Sequence, residues 1–238
     1  MALFVIGDLH LPFGIPSKTM EEFGGRWIGY TEKLKNNWLS DITDDDTVLI
    51  AGDTSWGMSL QEALPDLQFL NSLPGKKLIL EGNHDFWWNT AKKMEAFFEE
   101  NSLDFSILRN NAYDVGDLIV CGARGWYTDE KNISESNADS AKIVNRENMR
   151  LQMSLKEGDV LREQSGKPII AVLHFPPIYG NYICKPLVQT LEDFNVKLCL
   201  FGHIHGVHRD APEIKYGNVR YKMISADHLN FKPYKIIY

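Results

Sequence analysis

Five apolar stretches of the chain each end in residues of the types that bind metal ions or transfer protons. The fullest example is Gly82-Asn83-His84-Asp85, which follows the apolar run 77–81 and precedes a predicted helix at 90–100. The other stretches end in carboxylates and imidazoles: Asp8, His10, Asp53, His174, His203 and His205. Five of the seven histidines lie at such ends. A structural role is the simpler interpretation for any one of them, but not for all five together.

The chemistry that suits this set is a site for two divalent metal ions. Asp, Asn and His give a mixed shell of oxygen and nitrogen without thiolate, which favours Mn²⁺, Fe or Zn²⁺. Asp8 and His10 are one residue apart, and in an extended chain such residues face the same side, so both can contact one ion. Two ions about 3.5–4 Å apart, joined by a bridging carboxylate, can hold a phosphoryl group and a hydroxide together.

The elements that position these residues alternate along the chain as in an α/β protein. Apolar runs predict strands at 2–7, 47–51, 77–81, 169–173 and 196–201, hairpins at 112–121 and 213–225, and an edge strand at 234–238. Helical spacing predicts helices at 31–40, 59–71, 90–100, 141–164 and 186–194. Pro65 predicts a kink or a division of the second helix, and Gly158 is a candidate break in the fourth. Segments 11–29 and 129–140 are predicted loops.

Composition excludes several classes of protein. No apolar run approaches the roughly 20 residues that span a bilayer, and residues 1–6 lack the basic and long apolar regions of a signal peptide. Cys121, Cys184 and Cys199 form no CxxC pair, which disfavours a disulfide framework or a thiolate zinc site and fits a reducing cytoplasm. A formal net charge of -7 without a basic block disfavours general nucleic-acid binding. No linker or internal repeat divides the 238 residues, so we expect a single domain over 1–238.

As a set, the five blocks resemble the motifs of the calcineurin-like metallophosphoesterases. The blocks are Asp8-x-His10, Gly52-Asp53, Gly82-Asn83-His84-Asp85, His174 and Gly202-His203-x-His205, all in the order that this family has. The resemblance implies a four-layer α/β/β/α sandwich of two mixed sheets with the site at the strand ends. It also implies two divalent metal ions (Mn, Fe or Zn, with Mn expected to serve in vitro).

The resemblance assigns roles to the individual residues. One metal would be held by Asp8, His10 and His205, the other by Asn83, His174 and His203, and Asp53 would bridge them. A metal-bound hydroxide would attack phosphorus, while His84 would act as the general acid for the leaving oxygen. Asp85 is expected to orient the imidazole of His84.

Residues that contact the substrate are less defined by sequence. Arg124 could bind a second phosphate or a carboxylate, or form a surface salt bridge. Trp56 is a candidate for stacking on a base or sugar, and Tyr179 for lining the pocket. Phe86-Trp87-Trp88 could be a stacking wall or core packing. We expect a small phosphorylated substrate and no membrane, with monoester or diester preference and oligomeric state left open. A scaffold without turnover would have lost ligands, and none is missing here.

Overall fold

The computed structural model describes residues 1–126, 137–207 and 213–237. The first of its two large sheets has five strands in the order β13-β1-β2-β3-β4. These strands are β1 (Leu3–Ile6), β2 (Thr47–Ala51), β3 (Lys76–Leu80), β4 (Phe105–Ile107) and β13 (Tyr234–Lys235). β1 to β4 are parallel and β13 is antiparallel at the edge. The helices that follow β1, β2 and β3 are α1 (Tyr30–Asp41), α2 (Leu60–Asn71) and α3 (Ala91–Glu100).

The second sheet has six strands in the order β11-β12-β10-β7-β6-β5. They are β5 (Ala112–Val115), β6 (Leu118–Ala123), β7 (Ile169–Leu173), β10 (Leu198–Phe201), β11 (Ile214–Tyr216) and β12 (Val219–Met223). The four central strands are parallel, and an antiparallel hairpin closes each edge. The remaining elements are the small hairpin of β8 (Ile178–Tyr179) and β9 (Tyr182–Ile183) and the helices α4 (Asn137–Ser165) and α5 (Lys185–Asp193).

Three apolar clusters hold these elements in four layers. Val5 and Leu49 of the first sheet share a buried cluster with Val120 and Val172 of the second, so the two sheets pack face to face. Because side chains alternate along a strand, each sheet has a second apolar face. The outer face of the first sheet packs against α1, α2 and α3, and that of the second against α4 and α5. The predicted α/β/β/α sandwich of two mixed sheets is confirmed.

The two sheets are joined by hydrogen bonds between the residues that follow β1 and β12. Gly7, just beyond β1, pairs in parallel with Ser225, just beyond β12. The backbone nitrogen of Gly7 donates to the carbonyl of Ile224, and that of Ala226 donates to the carbonyl of Gly7. This junction places the carboxyl ends of strands from both sheets at one edge, where open α/β sheets bind their ligands.

Several predicted elements differ from the structure. α2 continues through Pro65 as one helix, so of the two predicted alternatives the division into two helices is wrong. α4 also continues through Gly158 as one helix. The glycine leaves room for the thiol of Cys121, because a Cβ at this position would overlap that sulfur. α4 begins at Asn137, so the end of the predicted loop 129–140 is helical, while its residues 129–136 lie outside the described residues. The edge strand predicted at 234–238 is limited to Tyr234–Lys235.

Other elements were absent from the prediction. β4 and the β8–β9 hairpin are additional strands, and the predicted loop 11–29 contains three short 3-10 helices: Pro16–Lys18, Met20–Phe23 and Gly25–Trp27. All three cysteines are buried free thiols. None of the helices in the described part of the chain has the length and apolar character that crossing a membrane requires.

Candidate metal centre

The side chains that follow β1, β2, β3, β7 and β10 gather into two groups. We call Asp8, His10 and His205 the outer group, and Asp53, His174 and His203 the inner group. Within each group, one ligand atom per residue lies within 4.8 Å of the others. Asn83 joins the inner group, because its Oδ1 lies 2.7 Å from Nε2 of His174 and 2.9 Å from Nδ1 of His203. The structure thus brings together all seven residues that the sequence predicts as ligands.

Asp53 stands between the two groups. Its Oδ2 is 3.6 Å from Nε2 of His10 and 3.6 Å from Nε2 of His174. Its other oxygen, Oδ1, accepts a 2.7 Å hydrogen bond from the backbone nitrogen of His84. That bond fixes the carboxylate so that one oxygen is directed toward both groups, which is the arrangement that a bridging ligand needs.

The donor atoms fit divalent cations. Nε2 of His10 and Nε2 of His205 face each other at 3.2 Å, a separation at which two neutral imidazole lone pairs need a proton or a cation between them. Burial lowers the pKa of His10 to about 3 and the pKa of His203 to about 3. Both imidazoles are therefore neutral near pH 7, which is the form that binds metal.

Two imidazoles are oriented by hydrogen bonds through their second nitrogen. Nδ1 of His174 lies 3.0 Å from the carbonyl oxygen of Ala51, and a carbonyl only accepts, so Nδ1 carries the proton and Nε2 keeps its lone pair. Nδ1 of His205 lies 3.1 Å from Oδ1 of Asp227, whose Oδ2 accepts from the backbone of Gly206. Burial lowers the pKa of His205, but the hydrogen bond with Asp227 and the charges of Asp8 and Asp227 outweigh it, and the pKa is raised overall.

Asp227 is the functional residue that the sequence prediction missed. It is fully buried and follows β12 by four residues, within the stretch Ile224-Ser225-Ala226-Asp227. The signal that identifies the ligands is weaker here, because β12 contains Arg220 and Lys222 and is not an apolar run. Carboxylates that hydrogen-bond a ligating imidazole fix its tautomer and raise its basicity.

The loops that carry the ligands have unusual backbone conformations. Asp8, His10, Asp53 and His203 have φ of 60°, 46°, 51° and 70°, the left-handed region that costs a non-glycine residue about 1–3 kcal/mol. Gly82 lets the loop after β3 touch the loop after β2, because a Cβ on Gly82 would overlap the backbone nitrogen of Asp53. Strain of this kind persists where the surrounding structure enforces it, as at binding sites.

Asp85 has a different role from the predicted one. Its carboxylate accepts hydrogen bonds from the backbone nitrogens of Asp53, Thr54 and Gly82 and from the indole of Trp87. Among the described residues, no hydrogen bond joins it to the imidazole of His84. The prediction that Asp85 orients that imidazole is therefore wrong: its oxygens are occupied in joining the loops after β2 and β3.

His84 lies beside both groups without belonging to either. Its imidazole is in edge contact with the rings of His10 and Trp56, at centroid distances of 5.6 Å and 5.1 Å. It lines a cavity of about 600 Å³, together with His10, Asp53, His203 and His205. The rest of the lining comes mainly from Met20, Phe23, Arg26, Trp27 and Trp56. This volume is within the range of sites for small molecules.

The three predicted substrate contacts have other neighbours. Arg124 forms ion pairs with Glu81 at 3.4 Å and with the fully buried Glu147 at 3.5 Å, so its salt-bridge interpretation is the one that the structure supports. Trp56 lines the cavity, but its ring stacks on the imidazole of His10 at 4.5 Å and so supports a ligand. Tyr179 belongs to the β8–β9 hairpin and packs against the outer core of the second sheet, away from the described lining of the cavity.

The three aromatic residues after His84, predicted as either a stacking wall or core packing, have different environments. Trp87 is fully buried in the core, and Trp88 packs against the same cluster. Phe86 is 54% exposed, and its ring lies 6.1 Å from that of His84. Core packing therefore describes the tryptophans, whereas Phe86 remains on the surface next to the site.

A family model, that of the calcineurin-like phosphoesterases, matches residues 1–207. The chain belongs to this family. The resemblance drawn from the five motif blocks is confirmed, and with it the chain is a metal-dependent phosphoesterase with two candidate groups of ligands for divalent metal ions. No curated protein matches the phosphoesterase.

Two solved structures are similar to the phosphoesterase over most of its length. One is a protein of unknown function, AQ665 from Aquifex aeolicus, with 14% identity over 98% of this chain and 95% of that chain and a TM-score of 0.48. The other, a crystal structure with 12% identity, covers 92% of this chain and 88% of that chain with a TM-score of 0.55. At this identity the second likeness shows the fold alone.

Proposed function

We propose that the phosphoesterase is a dinuclear hydrolase that cleaves a phosphomonoester or phosphodiester of a small molecule. The observation that carries this proposal is the position of Asp53, whose Oδ2 lies 3.6 Å from one imidazole nitrogen of each group. The outer group would hold one divalent ion, and the inner group with Asn83 would hold the other. When bound, such ions supply Lewis acidity toward a phosphoryl oxygen and lower the pKa of a coordinated water.

The protein's own contribution begins with Asp53 and His84. Asp53 would contribute to holding both ions, and its charge would offset their mutual repulsion. His84 donates a proton to the leaving oxygen, because its imidazole lines the cavity beside the ligands without belonging to either group. The bond from its backbone nitrogen to Asp53 ties the position of the proton donor to that of the bridging carboxylate.

The cavity supports a small substrate. Its volume of about 600 Å³ exceeds what a phosphate group fills, and Arg26 adds a positive charge to the wall. Two divalent ions and Arg26 would make the interior attractive to a phosphate although the chain has a net charge of -7. A non-enzymatic scaffold is disfavoured because the predicted ligand set is complete.

The experiment that tests this proposal is hydrolysis of p-nitrophenyl phosphate and bis-p-nitrophenyl phosphate by metal-stripped protein resupplied with Mn²⁺. We expect Mn²⁺ to restore hydrolysis of at least one compound, with stripped protein as the inactive control. Faster cleavage of the diester would assign a phosphodiesterase and faster cleavage of the monoester a phosphatase. Hydrolysis of neither by protein that contains both ions would contradict the proposal.

His84→Ala separates proton donation from metal binding. We expect the variant to keep both ions, while its kcat for an alkyl phosphate falls about 10²–10⁴-fold, the typical contribution of general acid catalysis. Hydrolysis of p-nitrophenyl phosphate should fall less, because nitrophenolate leaves without a proton, and that compound serves as the internal control. Loss of a metal ion from this variant would make His84 a ligand and refute its assignment.

A further inference from the structure

One wall of the cavity is formed by the two 3-10 helices Met20–Phe23 and Gly25–Trp27, which the metal ligands do not account for. This wall adjoins the outer group, since the ring of Trp27 lies 5.5 Å from the ring of His205 and 6.2 Å from that of His10. A group attached to a phosphate at the metal centre therefore has this wall as its neighbour.

The wall is held in place by hydrogen bonds to the residues that follow it and to the distant loop after β12. Arg26 donates through Nη1 to the carbonyl oxygens of Asp227 at 3.0 Å and His228 at 3.3 Å. The side chain of Glu21 accepts from the backbone of Gly29 at 2.8 Å, and Lys33 donates to the carbonyl of Arg26 at 2.9 Å. The wall is thus preformed, which reduces the entropy lost when a ligand binds.

Phe23 is the exposed aromatic side chain of this wall. It is 75% exposed although it lines the cavity, whereas Met20 and Trp27 beside it are buried. Phe86, whose ring lies 6.1 Å from that of His84, is also exposed, at 54%. Exposed aromatic rings around a pocket are the usual anchors of a flat apolar ligand group.

Polar groups accompany the aromatic surface. The guanidinium of Arg26 lines the same cavity, and so does the backbone of Gly24 and Gly25. A Cβ on either glycine would meet no atom within 4 Å, so the backbone there is open to a ligand. A ring with polar edges can stack on the aromatic side chain and also hydrogen-bond to the polar groups. A hydrocarbon ring can only stack on the aromatic side chain.

We propose that the substrate is a nucleoside phosphate whose base lies against Phe23 while its phosphoryl group lies at the metal centre. This inference rests on the proposed hydrolase function and names its substrate class. Stacking of a base on an aromatic side chain accounts for about a 10-fold or larger preference when the side chain is compared with alanine.

The test compares two compounds that present the same bond to the enzyme. Adenosine 5′-monophosphate and ribose 5-phosphate are both esters of a primary ribose hydroxyl, and they differ only in the base. For protein with Mn²⁺ we expect kcat/KM to be at least about 10-fold higher for the nucleotide. Phe23→Ala should bring this ratio close to one by lowering kcat/KM for the nucleotide. Ile28→Ala, at a 61% exposed residue just beyond the wall, should leave the ratio unchanged.

Calorimetry with the same two compounds distinguishes failure of this inference from failure of the hydrolase proposal. If protein that contains both ions hydrolyses neither these compounds nor the two nitrophenyl esters, but the nucleotide binds about 10-fold more tightly and Phe23→Ala removes the difference, the nucleoside site stands and the hydrolase proposal fails. A ratio near one in the wild type, or a ratio that survives Phe23→Ala, would overturn the inference. Benzyl phosphate binding as tightly as the nucleotide would overturn the assignment to a nucleobase.

Discussion

The outer and inner groups lie on either side of the Oδ2 atom of Asp53 and differ in how the protein encloses one histidine of each. His174 of the inner group has no exposed surface and donates to the carbonyl oxygen of Ala51, which belongs to β2. His205 of the outer group is exposed, and its partner Asp227 lies on the loop after β12. His174 is therefore fixed by a strand of the first sheet, whereas His205 is fixed by a loop that also accepts a hydrogen bond from Arg26 of the cavity wall.

The pKa values of His203 in the inner group and His205 in the outer group are also shifted in opposite directions. Burial, with neighbouring His174, holds the pKa of His203 at about 3, so a proton does not compete with a metal ion at the inner group near pH 7. At the outer group the pKa of His205 is raised, because the hydrogen bond with Asp227 and the charges of Asp8 and Asp227 outweigh the effect of burial. His205 is also the most exposed residue of the two groups, so we expect the inner group to hold its ion more tightly.

The largest fall in activity is expected from a change at Asp53, which lies close to both groups. Asp53→Asn removes the charge that offsets the repulsion between two ions, and we expect kcat to fall by about 10³-fold or more. The control is Asp45→Asn, the same change at an exposed residue of the turn before β2, which should leave the rate unchanged. Activity that survives Asp53→Asn would remove the bridging role and the link between the groups.

Removing one imidazole from each group tests their unequal enclosure. His174→Ala leaves the carbonyl of Ala51 without its donor in a buried site, and we expect the metal-free protein to lose about 1–3 kcal/mol of unfolding free energy. His205→Ala removes the hydrogen bond to Oδ1 of Asp227, but at an exposed position water can take the place of the imidazole, so the loss should stay below about 1 kcal/mol. Denaturant unfolding measures both values, and metal analysis should find one ion lost from each variant. Equal destabilisation would contradict the comparison.

The smallest effect concerns the partner of His205. Asp227→Asn keeps the shape of the side chain and removes its charge, and we expect the affinity of the outer ion to fall about 10–100-fold. Titration of stripped protein with Mn²⁺ should show a weakened second binding step and an unchanged first step. If the first step weakens instead, the more tightly held ion is the outer one.

The ligands could be predicted from the sequence because of a simple property of parallel sheets. Each ligand follows an apolar run directly or within a few residues, and the carboxyl ends of parallel strands meet at one edge. The same rule applies to Asp227, but β12 is predicted as part of a hairpin, and a hairpin strand carries no sign that its end reaches the site. The roles of the two motif aspartates, Asp53 and Asp85, depend on how the loops after β2 and β3 contact each other. The spacing of residues along the sequence does not reveal such contacts.

The cavity wall could not be predicted for a different reason. Met20–Phe23 and Gly25–Trp27 are single turns of 3-10 helix, too short to produce a periodic pattern. The hydrogen bond that anchors the wall joins Arg26 to Asp227, 201 residues away. When a segment is ordered by such distant contacts, its own sequence predicts only a loop.

The measurement that tests the central claim most directly is an anomalous difference map, recorded at the manganese edge, from crystals of the protein grown with Mn²⁺. Our account predicts two peaks about 3.5–4 Å apart, one at the outer group and one at the inner group, with Asp53 bound to both. A single peak, or two peaks that do not share Asp53, would contradict it.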